Sequence, residues 1–244
     1  MADSRTPYQY LEKLVALGTG EEFIEAVRDA KSRYFRAAGE VFEDDPFFEP
    51  RMNCFLEYYL FDYSAGPGGK STTALVIERG KATLAPDELV GFAGFDRSIH
   101  SVFELKKKAG DLLHVVNLYD GENYEVFERR TLAGLDKSDI FEARLMPFGD
   151  RLHFSNAFVF HPKEVKKFVV TELKNFKELG NPKPTTVVHR LAYLRLKFER
   201  FRRVDAAKIY SRETMGQLEN EQKRDLSAAG VRGQSPFAPP EGKE

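Results

Sequence analysis

Residues 101–160 read SVFELKKKAGDLLHVVNLYDGENYEVFERRTLAGLDKSDIFEARLMPFGDRLHFSNAFVF, and apolar side chains recur at every second position through much of this stretch. The alternation is clearest at Phe141, Ala143 and Leu145. A period of two is that of a β-strand, whose successive side chains point to opposite faces of a sheet. The pattern predicts five strands, over residues 101–107, 112–118, 124–129, 140–146 and 152–160.

Turn sequences separate the predicted strands. Three of the connections are marked by Gly110-Asp111, Asp120-Gly121 and Gly149-Asp150. The fourth, over residues 130–139, is longer and contains Gly134. Short connections join antiparallel neighbours, because a parallel crossover needs about a dozen residues or more. We therefore predict a five-stranded antiparallel meander or a small barrel.

Helical periodicity flanks this β unit on both sides, so the predicted fold class is α+β, with N-terminal helices and two C-terminal helices. Residues 71–79 are ambiguous between helix and strand. The longest amphipathic stripe comprises Val187, Leu191, Leu194, Phe198 and Phe201. The predicted organisation is a helical region over 1–99, the β unit over 100–161, a basic helical hairpin over 162–212 packed on the rest, and a polar, disordered tail over 213–244.

Composition excludes several classes of protein. With 42% hydrophobic residues the chain can bury a core, and 21 Phe with no Trp predict that this core is rich in phenylalanine. No apolar run approaches the roughly 20 residues that span a bilayer, and residues 1–6 lack the pattern of a signal peptide. The single cysteine, Cys54, excludes an intramolecular disulfide and a cysteine-rich zinc site. We expect a cytoplasmic protein with no metal and no cofactor.

Charge is distributed unevenly along the chain. Residues 1–162 hold 19 Lys and Arg against 27 Asp and Glu, whereas residues 163–212 hold 14 against 5. A basic segment of this kind either contacts an anionic partner or packs on the acidic remainder of its own chain. If it is a binding surface, the side chains expected to form it are Arg190, Tyr193, Lys197, Arg200 and Lys208, extended by Lys106 and Lys107 on the β unit.

Other candidate sites are weaker. Residues 64–72, SAGPGGKST, resemble a phosphate-binding loop around Lys70, but the first glycine of that pattern is replaced by Ser64 and the preceding segment is predicted to be helical. His114 and His153 lie on predicted strands and could meet across the sheet. Cys54 is expected to be buried and inert. Exposed aromatic side chains beside basic groups could bind single-stranded nucleic acid, and the candidates are Tyr119, Tyr124 and Phe148.

Two segments carry a resemblance to a known group. They are FLEYYLFDY at 55–63, and the β unit through NLYDGENYEV at 117–126 and DIFEARL at 139–145. Together they resemble uncharacterised bacterial proteins with an aromatic-acidic, FLEW-like helix before a small β unit. The resemblance covers roughly residues 20–165. Some members of that group carry a SEC-C-type zinc knuckle, for which this chain has no Cys/His cluster. The resemblance implies a bacterial source and no particular activity.

The sequence therefore favours a non-catalytic protein-interaction or regulatory protein, although it leaves open whether the chain is an enzyme. One alternative is a nucleic-acid-binding protein that uses the basic C-terminal helix and the β unit. Another is a nucleotide-dependent enzyme that uses the degenerate loop at residues 64–72. The expected partner is a protein, with nucleic acid as the alternative, and the oligomeric state is left open.

Overall fold

The computed structural model describes residues 6–130, 132, 134–218 and 220. The predicted tail over 213–244 therefore lies largely outside the described residues. The five N-terminal α-helices are α1 (Pro7–Gly18), α2 (Ile24–Ala38), α3 (Phe48–Phe61), α4 (Thr72–Gly80) and α5 (Pro86–Phe95). The C-terminal helices are α6 (Lys166–Glu178), α7 (Thr185–Arg200) and the short α8 (Ala206–Ile209), followed by helical residues 212–218. Single 3₁₀ turns occur at Glu21–Phe23, Pro67–Gly69 and Lys163–Val165.

Local capping explains where several helices begin. Thr6 caps α1 by accepting a hydrogen bond from the Gln9 amide, and Pro7 occupies the first turn. Ser71 caps α4 in the same way through the Ala74 amide, so the ambiguous residues 71–79 are helical.

Among the described helices, none is both long and apolar enough to cross a membrane.

The β unit forms a closed five-stranded barrel. Its strands are β1 (Ile99–Ala109), β2 (Leu112–Asn117), β3 (Asn123–Phe127), β4 (Ile140–Phe148) and β5 (Arg151–His161). They follow one another around the barrel in the order β1-β2-β3-β5-β4, with β4 pairing back to β1. The α+β class and the barrel are confirmed.

One pairing departs from the expected antiparallel arrangement. β3 runs parallel to β5, with Val126 opposite Leu152, whereas the other four pairings are antiparallel. The reason is geometric. When five strands of alternating direction close into a ring, two strands of the same direction must become neighbours.

The apolar residues form three clusters. One fills the barrel interior and includes Phe103, Phe141 and Phe154. A second joins α1–α5 to the barrel, and a third lies between α6, α7 and the barrel. Phe201 does not join the predicted stripe, because α7 ends at Arg200 and the Phe201 side chain is 53% exposed.

Helices cover part of the barrel exterior, and this positions the polar groups described below. In β4 all residues from Ile140 to Met146 are buried, on both faces of the strand. The inward face packs in the barrel interior, while the outward face meets the helical layer. Charged side chains on the outward face of β4 are therefore shielded from water.

Candidate functional site

A basic cleft opens between the helices, and it is the most complete candidate for a binding site. It has a volume of about 640 Å³ and lies between α2, the connection over residues 39–41, α3, α7 and residues 212–218. Its floor is apolar and is formed by Phe35, Val41, Phe48, Met52 and Leu218. Its cationic wall is formed by Arg28, Lys31 and Arg36, all on α2.

The spacing of residues on α2 produces this wall. Arg28, Lys31 and Phe35 are three and four residues apart and therefore share one face of the helix. Ala30, Tyr34 and Phe35 are buried in the helical core, so Phe35 lies at the border between the core and the cleft. The helix α2 thus packs one side in the core and presents Arg28 and Lys31 to the cleft.

The end of α2 packs closely against α7. Gly39 follows the helix with φ of +87°, a conformation that favours glycine. A Cβ atom on Gly39 would lie 2.9 Å from the Leu196 side chain and 3.1 Å from the Tyr193 ring. Glycine at this position therefore lets α7 form a wall of the cleft.

Three of the predicted binding residues meet at or beside the cleft. Tyr193 lines it, and the Lys197 nitrogen lies 5.9 Å from the centre of the Tyr193 ring. Arg200 donates to the Glu40 carbonyl and to the Asp45 carboxylate, both at 2.8 Å. Arg200 thus contacts the acidic N-terminal part of the chain, as one of the two sequence-based interpretations expected.

The other predicted residues lie elsewhere. Arg190 is half-buried on α7, and Lys208 is exposed on α8. Lys106 and Lys107 are exposed on β1, where Lys106 forms an ion pair with Glu104 at 2.6 Å. None of these four residues lines the cleft.

A buried charge cluster joins α3 to the barrel, and sequence reasoning did not find it. It consists of Glu57 on α3, Asp62 directly after α3, His100 on β1, and Glu142 and Arg144 on β4. Each side chain is at most 10% exposed. His100 Nε2 lies 3.0 Å from Glu142 Oε1, while the Arg144 guanidinium contacts Asp62 and lies 3.4 Å from Glu57.

Electrostatics within the cluster differ between the three carboxyl groups. Burial raises the pKa of Glu57, and Arg144 offsets this only in part. Burial also acts on Asp62 and Glu142, but the opposing charges outweigh it. Arg144 and His100 hold the pKa of Asp62 below its ordinary value, and the hydrogen bond and charge of His100 do the same for Glu142.

A cage of rings closes one side of this cluster. His189 on α7 packs against Tyr34, Tyr58 and His100, with ring centres 5.1, 5.0 and 6.1 Å away. Burial lowers the pKa of His189 to about 4, and the charge of His100 adds to the effect. Because the cluster and its cage are enclosed between helices and barrel, their direct effect is to fix the helical layer on β1 and β4.

The remaining candidate residues from the sequence do not form a site. Lys70 forms an ion pair with Glu78 at 2.8 Å in a loop that follows helix α3 instead of a strand. His114 and His153 do not meet, contrary to the expectation, because β3 lies between their strands β2 and β5. Cys54 is buried, as expected, and burial raises its pKa.

The three aromatic residues proposed as exposed stacking platforms are packed. The Tyr119 hydroxyl donates to the Asn181 carbonyl at 2.5 Å, and Tyr124 packs on the barrel interior beside Phe103. Phe148 packs on Tyr10 at 5.1 Å between ring centres. In the described part of the chain there is also no group of three or more His, Cys, Asp or Glu side chains arranged to hold a metal ion.

One signal in the sequence could have pointed to the buried cluster. Alternation in β4 places Phe141, Ala143 and Leu145 inside the barrel and Glu142 and Arg144 outside. An acidic and a basic residue two positions apart on the outer face would be ordinary on a solvated strand. Only knowledge that α3 covers this face shows that they are buried.

Comparison with known proteins identifies a family but no characterised relative. Searches among curated proteins and among solved structures find no match. A family model matches residues 9–197, which include the barrel, α2–α6 and most of α1 and α7. The chain therefore belongs to the family of unknown function DUF7986.

Proposed function

We propose that this chain is a non-catalytic protein-interaction or regulatory protein, and that the basic cleft receives an acidic, amphipathic segment of a protein partner. The observation that carries the proposal is the combination of an apolar floor with a wall of three cations in one cleft. Neither the glycine-rich loop nor the buried charge cluster offers a comparable open surface.

Charge complementarity favours an acidic segment. The charged residues that line the cleft are Arg28, Lys31, Arg36 and Glu40, three positive and one negative. Lys31 forms no ion pair with any described residue, whereas Arg28 contacts the exposed Glu25 at 2.8 Å. A partner carboxylate can therefore approach Lys31 without breaking an existing pair.

The floor favours a peptide over nucleic acid. Val41, Phe48 and Met52 are partly exposed and present apolar surface that a phosphate backbone cannot cover. An amphipathic helix can place apolar side chains on this floor and acidic side chains against α2, as helix-in-groove recognition requires. Methionine also suits such a groove because its side chain adapts to varied apolar shapes.

The edge of the cleft contains Tyr193, Lys197 and Arg200. A partner in the cleft does not contact Arg190, Lys208, Lys106 or Lys107. If the broader predicted surface were the binding site, substitutions at these four positions would weaken binding as much as substitutions on α2.

Two synthetic amphipathic peptides test the proposal. They share one apolar face, and the other face carries Glu in one peptide and Lys in the other. We expect fluorescence anisotropy to show that the acidic peptide binds more tightly, and that binding weakens as salt rises. The variant Arg28→Glu/Lys31→Glu/Arg36→Glu should reverse the preference, because its wall is acidic.

The matched control changes the same number of charges on exposed positions outside the cleft, Lys81→Glu/Lys174→Glu/Lys183→Glu. This control should keep the parent's preference for the acidic peptide. If both variants lose acidic-peptide binding equally, only the net charge of the protein matters and the cleft is not the site. Equal affinity of the parent for both peptides would likewise contradict the proposal.

A further inference from the structure

A second groove, on the barrel, shares no lining residue with the basic cleft. A groove of about 710 Å³ lies where β2 begins and β3 ends, beside the β4–β5 turn. The five-stranded order β1-β2-β3-β5-β4 is that of a Greek-key barrel. In barrels of the OB type, the face of strands 2 and 3 and the turns beside it bind oligonucleotides or oligosaccharides.

The aromatic side chain that lines this groove is Phe127. Its neighbour Val126 points into the barrel and is fully buried, so Phe127 points outward and is only partly covered. The Arg151 guanidinium carbon lies 4.4 Å from the centre of the Phe127 ring, and that of Arg129 lies 5.0 Å away. Cation–π contacts with this ring thus bring two guanidinium groups close together at the end of β3.

Both arginines remain accessible. The Arg129 side chain is 75% exposed and the Arg151 side chain is 52% exposed. Arg151 lies 3.8 Å from Asp150, whose side chain is 93% exposed, and such a pair contributes little in water. Arg129 lies 3.2 Å from Asp111, which is also more than half exposed. A phosphate can therefore replace either carboxylate.

The outward face beside the groove carries one further cation, Lys107, and one further carboxylate, Glu125. Strand register places Lys107 beside His114, and Leu112 beside Phe127. His114 lies 3.4 Å from Glu125, the remaining acidic residue of the groove. Each carboxylate of this face thus has a cationic or basic neighbour, and Lys107 is exposed.

We propose that this groove binds single-stranded nucleic acid. An unpaired base stacks on the exposed part of the Phe127 ring, while Arg129, Arg151 and Lys107 contact the phosphates. Aromatic and guanidinium planes stack on bases of any sequence, and cations along the path hold the backbone. A duplex hides its base faces, so it cannot use the ring.

A single tryptophan tests the proposal directly, since the chain has none of its own. Phe127→Trp should lose fluorescence on titration with oligo(dT) or oligo(U) of about 12 nucleotides in about 50 mM salt, because a stacked base quenches indole emission. The matched control is Phe201→Trp, at a position that is 53% exposed at the end of α7. It should bind the same oligonucleotide by anisotropy without quenching. The DNA and RNA arms show which backbone is preferred.

Two substitutions that do not rely on tryptophan complete the test. Phe127→Ala and Arg151→Glu should each weaken binding at least about fivefold, whereas Arg97→Glu, at an exposed position outside the groove, should not. The proposal is overturned if Phe127→Ala binds as tightly as the parent, if the parent binds duplex as well as single strand, or if no binding occurs at low salt. It is also overturned if the triple Glu variant of the basic cleft abolishes binding and the Phe127 variants do not.

Discussion

Acidification should destabilise the protein well above the pH at which its carboxylates titrate. His189 and His161 are buried, and burial lowers the pKa of each to about 4, against an ordinary value of 6.5. The unfolded chain therefore binds a proton on each of these side chains across a window in which the folded protein does not. Stability is fully present above about pH 6.5 and is lost progressively as the pH falls towards 4.

The size of the effect follows from the two pKa values. Between pH 7 and pH 5, each histidine should reduce the free energy of unfolding by about 2 kcal/mol, so the two together remove about 4 kcal/mol. This is a large part of the free energy of unfolding of a typical domain, which is roughly 5–15 kcal/mol. Asp62 and Glu142 contribute below this window, because their pKa values lie under their ordinary ones.

The variant His189→Leu isolates one of the two contributions. Leucine fills a similar volume in the cage of Tyr34, Tyr58 and His100 but cannot take up a proton. Urea unfolding followed by circular dichroism at several pH values from 5 to 7 should show about half the parent's loss of stability. The comparison uses only the change in the free energy of unfolding with pH, so a difference in stability between parent and variant at pH 7 does not affect it. Equal losses in parent and variant would refute the reasoning, as would a parent that is flat over this range.

Three further perturbations should give clear outcomes. Arg144→Met should cost about 3–5 kcal/mol in urea unfolding, because it leaves Asp62 buried without its guanidinium partner; a cost under about 1 kcal/mol would show that the pair is dispensable. Cys54 should react with a thiol reagent only on unfolding, since it is buried with a raised pKa, and rapid labelling of the native protein would contradict this. Gly39→Ala should lower the melting temperature, because φ there is +87° and the added Cβ meets Leu196 at 2.9 Å; an unchanged melting temperature would refute that account.

Local signals in the sequence were sufficient for most elements of the fold, although not for α4 and α8. Thr6 and Pro7 define the start of α1 through interactions within one helical turn. Gly110 and Gly149 adopt positive φ at the β1–β2 and β4–β5 turns, as their hairpin sequences predict. Such signals depend on neighbours a few residues away, and a single sequence contains them in full.

The sites depend on contacts between distant residues, which periodicity does not encode. Arg144 and Asp62 are 82 residues apart, and the sequence does not show that α3 covers β4. Alternation predicts that Phe127 points outward, but the arginine closest to its ring comes from β5. The basic helix α7 was found from its charges, whereas the cationic wall that faces it lies on α2 and was missed.

The way the helical layer is assembled has a consequence for synthesis on the ribosome. Arg51 of α3 donates to the carbonyl of Ala192, which is 141 residues further along the chain, and Arg200 reaches back 155 residues to Asp45. The barrel strands are contiguous in sequence and can pair while α7 is still within the exit tunnel. The N-terminal helices, by contrast, keep an uncovered apolar flank until residue 200 has emerged, since α7 is the element that covers it. We therefore expect the barrel to close first and α7 to dock on α2 and α3 last, with a chaperone-accessible surface in between.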